Sequence, residues 1–280
     1  MFTDDLLKDR VVLVTGGGSG LGLSMTRRFL DLGAKVGIVG RNSERLADAM
    51  QTLDVPDERK AAHPADVREP DEIDRAVAAI GDALGPIDIL VNNAAGNFLA
   101  ASEDLSPRGF DAVVRTVLHG SFHATHSVGR RLIEAGRPGV ILNIVTTYAW
   151  TGSAFVLPSA VAKAGVLAMT RSLAVEWATY GIRLNAIAPG PFPTDGAWAA
   201  LMPSREIEEG ARARIPMGRF GEHGELTNLA AFLVSGAAPF INGECVTIDG
   251  GEWLASGGEF NHLTRVPREE VKAFIQKMRS

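Results

Sequence analysis

The sequence predicts a single α/β domain, a doubly wound parallel sheet with helices on both faces. Three observations carry this expectation. Short apolar runs alternate with amphipathic stretches along the whole chain, so strands and helices take turns. Most of the strand-like runs are apolar at every position rather than at every second one, as in strands covered on both sides. The first strand also passes through a glycine cluster into the first helix and on to a second strand, a βαβ unit.

The elements follow in order. Val11 to Thr15 is a β-branched run that stops at Gly16-Gly17-Gly18-Ser19-Gly20-Leu21-Gly22. Met25, Phe29, Leu30 and Leu32 then recur at helical spacing until Gly33 ends the pattern. Lys35 to Gly40 is the second strand and ends in Arg41. Helix over Arg45 to Leu53, weak strand over Ala61 to Ala65, helix over Asp71 to Leu84 and strand over Ile87 to Val91 come next. Pro107 to Ala135 reads as one long helical stretch, Val140 to Val145 as a strand, Ser159 to Tyr180 as a helix and Ile182 to Ile187 as a strand. Glu222 to Val234 is a helix and Glu244 to Ile248 the last strand. Two stretches break the alternation. Residues 190–221 are rich in Gly, Pro and Ala and follow a strand's carboxyl end, where a lid over a crevice would sit. Residues 252–280 form a C-terminal extension in which Glu269 to Met278 has an amphipathic helical pattern. No linker divides the 280 residues, so one domain over 1–280 is expected.

The bulk composition narrows the function. The chain is 46% hydrophobic and 22% charged, ordinary globular material. A net charge of −5 supplies no basic stripe for nucleic acid. One cysteine, Cys245, excludes an intrachain disulfide and a multi-cysteine metal site, and points to a reducing, cytoplasmic setting. Residues 1–10 are acidic and lack an apolar core, unlike a secretory or transit signal. No run approaches the ~20 apolar residues of a membrane span. His119, His123 and His126 share a helix face, but no carboxylate or cysteine accompanies them, so no metal site is expected.

The glycine turn between first strand and first helix is where a dinucleotide pyrophosphate binds, because backbone N–H groups converge there and glycines allow close approach. The fold expected is therefore of Rossmann type, with Gly16, Gly17, Gly18, Ser19, Gly20 and Leu21 at the phosphates. Its spacing, Gly16-x-x-x-Gly20-x-Gly22, differs from the tighter G-x-G-x-x-G. After the second strand stands Arg41, where an NAD-binding chain often places an acid; a guanidinium there suits the 2′-phosphate of NADP(H). Asp66-Val67, Asn92-Asn93 and Pro189-Gly190-Pro191-Phe192 follow the carboxyl ends of three further strands, on the same edge of the sheet.

That turn resembles the short-chain dehydrogenase/reductase family, whose motif is Tyr-x-x-x-Lys with an upstream Ser. Here Lys163 is present, but Ser159 stands four residues before it and Thr146 takes the upstream position. The chain has two tyrosines. Tyr180 lies seventeen residues past Lys163 on the same helix, ~25 Å away at helical rise. Tyr148, directly after the fifth strand, is the remaining phenol.

Residues 8–263 resemble the 2,4-dienoyl-CoA reductase branch of that family. The resemblance rests on Asn92-Asn93-Ala94-Ala95-Gly96-Asn97-Phe98, Thr146-Thr147-Tyr148-Ala149, Pro158 to Gly165 and Gly258-Glu259-Phe260-Asn261. It implies that Tyr148 and Asn97 are the catalytic pair and that Lys163 and Ser159 hold the cofactor. It also implies that Asp66 and Val67 meet the adenine, that Asn93 supports the cofactor floor, and that Pro189 to Phe192 wrap the nicotinamide. Arg68, Phe98 and Ser106 match positions that contact acyl-CoA. The implied reaction is NADPH-dependent reduction of 2,4-dienoyl-CoA to 3-enoyl-CoA in fatty-acid β-oxidation. Such chemistry needs donors at the thioester oxygen, where dienolate charge collects, rather than an acid for a carbonyl.

His119 occupies the slot of an asparagine that organises water in the family, or is a plain helix histidine; both readings stand. Ala200 replaces an acyl-CoA-binding arginine. Trp198, Leu201 and Met202 read equally as acyl-chain cover or as packing. Other enzyme readings are a trans-2-enoyl-CoA reductase and a carbonyl or 3-ketoacyl reductase. A non-catalytic nucleotide-binding scaffold is the reading of another class. The resemblance further implies a homotetramer built on the two long helices, an acyl-CoA substrate, and no membrane or nucleic-acid partner.

Overall fold

The computed structural model describes residues 3–194, 198 and 204–279. Ala200, Leu201 and Met202, three positions weighed above for the lid, lie outside the described residues. Seven strands form one parallel sheet: β1 (Val11–Thr15), β2 (Lys35–Gly40), β3 (Lys60–Pro64), β4 (Ile89–Asn92), β5 (Gly139–Ile144), β6 (Ile182–Pro189) and β7 (Cys245–Ile248). Their order is β3-β2-β1-β4-β5-β6-β7. The chain builds outward from β1 to β3, then crosses back to lay β4 on the other side of β1. The crevice between the carboxyl ends of β1 and β4 is thus the switch point where α/β sheets bind ligands.

Strand composition follows burial. Every residue of β1 and of β4 is buried, as expected where helices cover both faces. One apolar layer joins Val12, Val14, Ile89 and Val91 to Met25, Phe29 and Leu226; the other joins Leu13, Leu90 and Ile141 to Ile73, Ile80 and Val128. The first layer belongs to α1 (Gly20–Asp31) and the helix His223–Val234, the second to Pro70–Leu84 and Gly120–Glu134. Register places Thr15 opposite Asn92, and Asn92 opposite Asn143, so three polar residues form a row across the last turn of the central strands.

The elements depart from expectation in three places. The stretch 107–135 is not one regular helix: Pro107–Val114 leads into a π-helical turn, Arg115–His119, before Gly120–Glu134. The wide turn falls where Gly120 meets Val67, whose Cγ2 lies 2.6 Å from where a Cβ would stand. The helix with Lys163 runs Leu157–Glu176, and Tyr180 belongs to a short 3-10 turn after it, closed by Gly181 at φ 73°. Tyr148 is not in a loop but opens a one-turn helix, Tyr148–Thr151. The extension beyond β7 holds Glu252–Gly257 and a helix at Arg268–Arg279, where an amphipathic helix was expected. Among the described residues no helix is long and apolar enough to cross a membrane.

Candidate active site

The glycine turn is shaped by contacts that tolerate no side chain. Gly16 has φ 65°, and a Cβ on Gly22 would stand 2.3 Å from the Gly16 carbonyl oxygen. Thr15 and Asn93 brace the turn. The Thr15 hydroxyl accepts the N–H groups of Asn93 and Ala94 at 3.1 Å each, and Asn93 Nδ2 donates to the carbonyls of Thr15 (3.1 Å) and Gly16 (3.2 Å). The start of α1 carries no side-chain cap from Ser19 and no acid in its first turn. Its N–H groups therefore face the crevice with the positive end of the helix dipole, a fit for phosphate.

Two connected cavities open along this edge. One, of about 270 Å³, is lined by Gly16, Gly18, Ser19, Arg41, Asn42, Arg45 and Val67 among others. The second, of about 1350 Å³, holds Leu21, Thr146, Thr147, Tyr148, Lys163 and Pro189 to Phe192. Ser19, Arg45, Asn93 and Ala95 line both. Gly17 faces neither; it lies against Ile38, whose Cγ2 would be 2.5 Å from a Cβ there. A dinucleotide fits this layout, with paired guanidiniums at one end, an uncapped helix start in the middle and a buried ammonium at the other.

Within the larger cavity the displaced phenol reaches the lysine's helix. The Tyr148 hydroxyl lies 3.1 Å from Ser159 Oγ, the residue one turn before Lys163. Ser159 is 3% exposed and Lys163 7%. Lys163 Nζ donates to the Ile144 carbonyl at the end of β5. Burial pushes its ammonium down to about 8.

Other expected residues are not brought to this point. Asn97 and Phe98 are exposed and line neither cavity. The Asn97 Oδ1 accepts the Phe98 N–H at 2.9 Å, which leaves its NH₂ as a donor. Their loop is pinned to the one after Tyr148, because Ala100 N–H donates to the Phe155 carbonyl at 2.9 Å. Ser106 caps the helix Pro107–Val114 by accepting the Gly109 N–H at 3.1 Å, with the Phe98 ring against the same glycine. Asp66 lines neither cavity; Arg68 Nε and Nη2 donate to its carboxylate. Burial works against the Asp66 charge, but the Arg68 hydrogen bonds and the fields of Arg68 and Arg41 outweigh it and hold the carboxyl below its usual range. His119 lines neither cavity. It is exposed and edges His123 at 6.3 Å, while Val117 is the buried residue of that wide turn. Among the described residues no group of three His, Cys, Asp or Glu side chains is placed to hold a metal.

The far wall was foreseen only at Trp198. Trp198 lines the cavity and packs edge-to-face on Phe220 at 4.7 Å, so it is both cover and packing. Trp253 and Glu252, from the C-terminal extension, line it too; Trp253 packs edge-to-face on Trp150 at 5.7 Å, and Glu252 pairs with Arg214 at 3.3 Å. Arg45 was also missed; it lies in the first turn of the helix Ser43–Gln51, which begins just after Arg41, and lines the same cavity.

A crevice at the switch point, with a tyrosine, a serine and a buried lysine beside its larger cavity, is that of an oxidoreductase of the nicotinamide-dependent class. Residues 16–252 match a family model described as Enoyl-(Acyl carrier protein) reductase. A probable 2,4-dienoyl-CoA reductase [(2E)-enoyl-CoA-producing] of Bacillus subtilis is 42% identical, over 89% of this chain and 98% of that protein. The peroxisomal 2,4-dienoyl-CoA reductase [(3E)-enoyl-CoA-producing] of Arabidopsis thaliana is 38% identical, over 97% of this chain and 91% of its own. A crystal structure of a gluconate 5-dehydrogenase from Burkholderia cenocepacia in complex with NADP and tartrate superimposes with TM-score 0.82 at 33% identity, covering 89% of this chain and 97% of that one. The chain belongs to the short-chain dehydrogenase/reductase family, within its 2,4-dienoyl-CoA reductase branch.

Proposed function

We propose that this protein reduces 2,4-dienoyl-CoA thioesters to 3-enoyl-CoA with NADPH, in fatty-acid β-oxidation. The observation that carries the reading is the Tyr148 hydroxyl 3.1 Å from Ser159 Oγ, beside buried Lys163. A phenol held this way offers an O–H to a thioester oxygen. Either hydroxyl can donate across this contact; with Ser159 as donor to the phenol oxygen, the phenol proton points at substrate. The second donor is the Asn97 NH₂, whose loop is tied to the segment after Tyr148 by the Ala100–Phe155 bond. Two such donors stabilise the dienolate, each worth about 3 kcal/mol. Proton delivery to carbon then comes from water.

A bound nicotinamide dinucleotide supplies the hydride. Lys163 would hold its ribose, the start of α1 its pyrophosphate, Val67 its adenine with Asp66 behind it on Arg68, and Pro189 to Phe192 its nicotinamide. The choice of NADPH is supported by Arg41 and Arg45, two cations at the adenosine end with no acid among the residues lining it. For the CoA moiety we assign Phe98, Ser106 and the Nη1 edge of Arg68 that Asp66 leaves free.

The names of the relatives divide between 2-enoyl and 3-enoyl products; donors at the thioester oxygen favour the 3-enoyl one, since charge held there as a dienolate is quenched at the carbon beside it. A carbonyl reductase reading draws on the same Tyr148–Ser159–Lys163 cluster. NADPH oxidation with trans-2,trans-4-decadienoyl-CoA beside a 3-ketoacyl-CoA, with the product double bond located, tests both. Turnover of the ketone alone overturns the proposal, and nucleotide binding with no turnover of either favours a scaffold. A homotetramer is supported by apolar residues left exposed on the long helices, Phe122 on one and Leu157, Val161 and Val175 on the other. A reducing cytoplasmic setting is supported by the lone Cys245 thiol.

A further inference from the structure

The helix His223–Val234 begins with a histidine that the reaction above does not use. Its Nε2 lies 2.6 Å from the Pro193 carbonyl oxygen and its Nδ1 2.7 Å from Ser24 Oγ. A carbonyl only accepts, so Nε2 carries a proton and donates to Pro193, while Nδ1 and the Ser24 hydroxyl, which also donates to the Gly20 carbonyl, share the second bond. The imidazole therefore bridges α1, on the turn after the glycine cluster, to the segment that leaves β6. Ser24 also lies 3.2 Å from the Gly20 carbonyl oxygen.

That segment is gripped at neighbouring points. Gly221 N–H donates to the Pro191 carbonyl at 3.1 Å. The Phe192 ring lies so close over Gly221 that a Cβ there would stand 2.4 Å from it. Thr194 Cγ2 rests 3.4 Å from the Cβ position of Gly20 in the glycine turn. Residues 191–194 thus cross the glycine turn, bound on one side by Gly221 and His223 and seated on the other at Gly20. Both Thr194 and Phe192 line the larger cavity.

We propose that His223 is a positioning residue for the dinucleotide: its bond to Pro193 holds the Pro189–Thr194 segment down over the glycine turn and so sets nucleotide affinity. The inference rests on the assignment of this crevice to a dinucleotide and is independent of the acyl substrate. Hydrogen bonding is divided between two atoms of the ring, and the two carboxamides separate them. Glutamine extends its NH₂ toward the Nε2 position and can still donate to Pro193. Asparagine reaches only the Nδ1 position and can still bond Ser24.

The test is fluorescence titration of NADPH into wild type, His223→Ala, His223→Gln and His223→Asn without thioester, followed by steady-state kinetics. Loss of one such bond gives a roughly 3- to 10-fold weaker Kd for NADPH in the Ala and Asn variants. Recovery to within about twofold of wild type is expected in the Gln variant, with the KM for thioester unchanged throughout. An unchanged Kd in His223→Ala overturns the proposal. So does a Gln variant as weak as Ala or Asn, or a rise in thioester KM equal to that for NADPH. If the Ala variant does not fold, the Gln and Asn pair decides alone. Wild type that binds NADPH but reduces no dienoyl thioester refutes the activity proposed above and leaves this test intact.

Discussion

The Tyr148 hydroxyl and Ser159 Oγ stand 3.1 Å apart, though the two residues belong to different helices and lie eleven positions apart in the chain. A tyrosine displaced from the lysine's helix still delivers its phenol to the position one turn before Lys163. The serine that replaces it there is what receives it.

Removal of that hydroxyl is expected to slow the chemical step. Tyr148→Phe should lower kcat on a dienoyl thioester about 10²-fold, the usual cost of one oxyanion donor, with a small change in KM. Ser159→Ala should cost less, because the phenol survives and loses only its partner. Full activity in Tyr148→Phe measured by NADPH oxidation would refute the role.

Asn97 tests the second donor. Asn97→Ala should lower kcat at least about 10-fold if its NH₂ reaches the thioester oxygen. Circular dichroism should be unchanged, since the side chain is exposed and bonded only to Phe98 N–H. Wild-type kcat in this variant leaves Tyr148 as the sole donor.

Charge at the adenosine end should set the choice of nucleotide. Arg41→Ala is expected to weaken NADPH binding about 10- to 100-fold, the range for a hydrogen bond to a charged group, and to leave NADH nearly unaffected. Arg45→Ala should act in the same direction with a smaller effect. Equal losses for both nucleotides would remove the 2′-phosphate from the account.

Lys163 gives a pH signature. Burial lowers its ammonium from 10.5 to about 8. Between those values the unfolded chain binds a proton that the folded protein has released, so stability rises with pH across that window and is flat below it, where both states are protonated. Urea midpoints of the nucleotide-free protein should therefore climb from pH 8 to 10 relative to those of Lys163→Met. A flat difference would mean that the ammonium is not desolvated.

The polar row across the sheet should matter for stability rather than for rate. Asn92 Nδ2 donates to Thr125 Oγ1 and Asn143 Oδ1, and Asn143 Nδ2 to Thr170 Oγ1, all at 2.8 Å, in a site closed to solvent. Asn92 Oδ1 is buried without a partner. Asn143→Leu strands one N–H of Asn92, while the Thr170 hydroxyl keeps its bond to the Val166 carbonyl, and should cost about 1–3 kcal/mol in urea unfolding.

Much of this protein could be read from its residues in order. Alternating apolar runs announced strands and helices, because burial on both faces leaves no polar positions in a strand such as Val11–Val14. The glycine turn and Arg41 were legible because each follows a strand's carboxyl end, and a parallel sheet gathers those ends on one edge; Lys163, inside the helix Leu157–Glu176, was legible only through the family motif it resembles. The π turn at Arg115–His119 was not, since a helix of any register shows the same apolar pattern locally; it follows from Gly120 packing on Val67. Nor was the exposure of His119 legible, since a wide turn changes which way its residues face.

The sequence by itself determined the kind of chain this is: a parallel sheet, a glycine turn between first strand and first helix, and a lysine with no tyrosine four residues before it. Those follow from local spacing and from the small set of ways a strand can be buried. Only the tertiary structure decided that the Tyr148 phenol reaches Ser159, that Trp253 from the far end closes the cavity, and that His223 ties Ser24 to Pro193. Each joins segments that are distant in sequence or aimed by a turn, and nothing in a linear pattern encodes where a side chain points once the chain has folded back on itself.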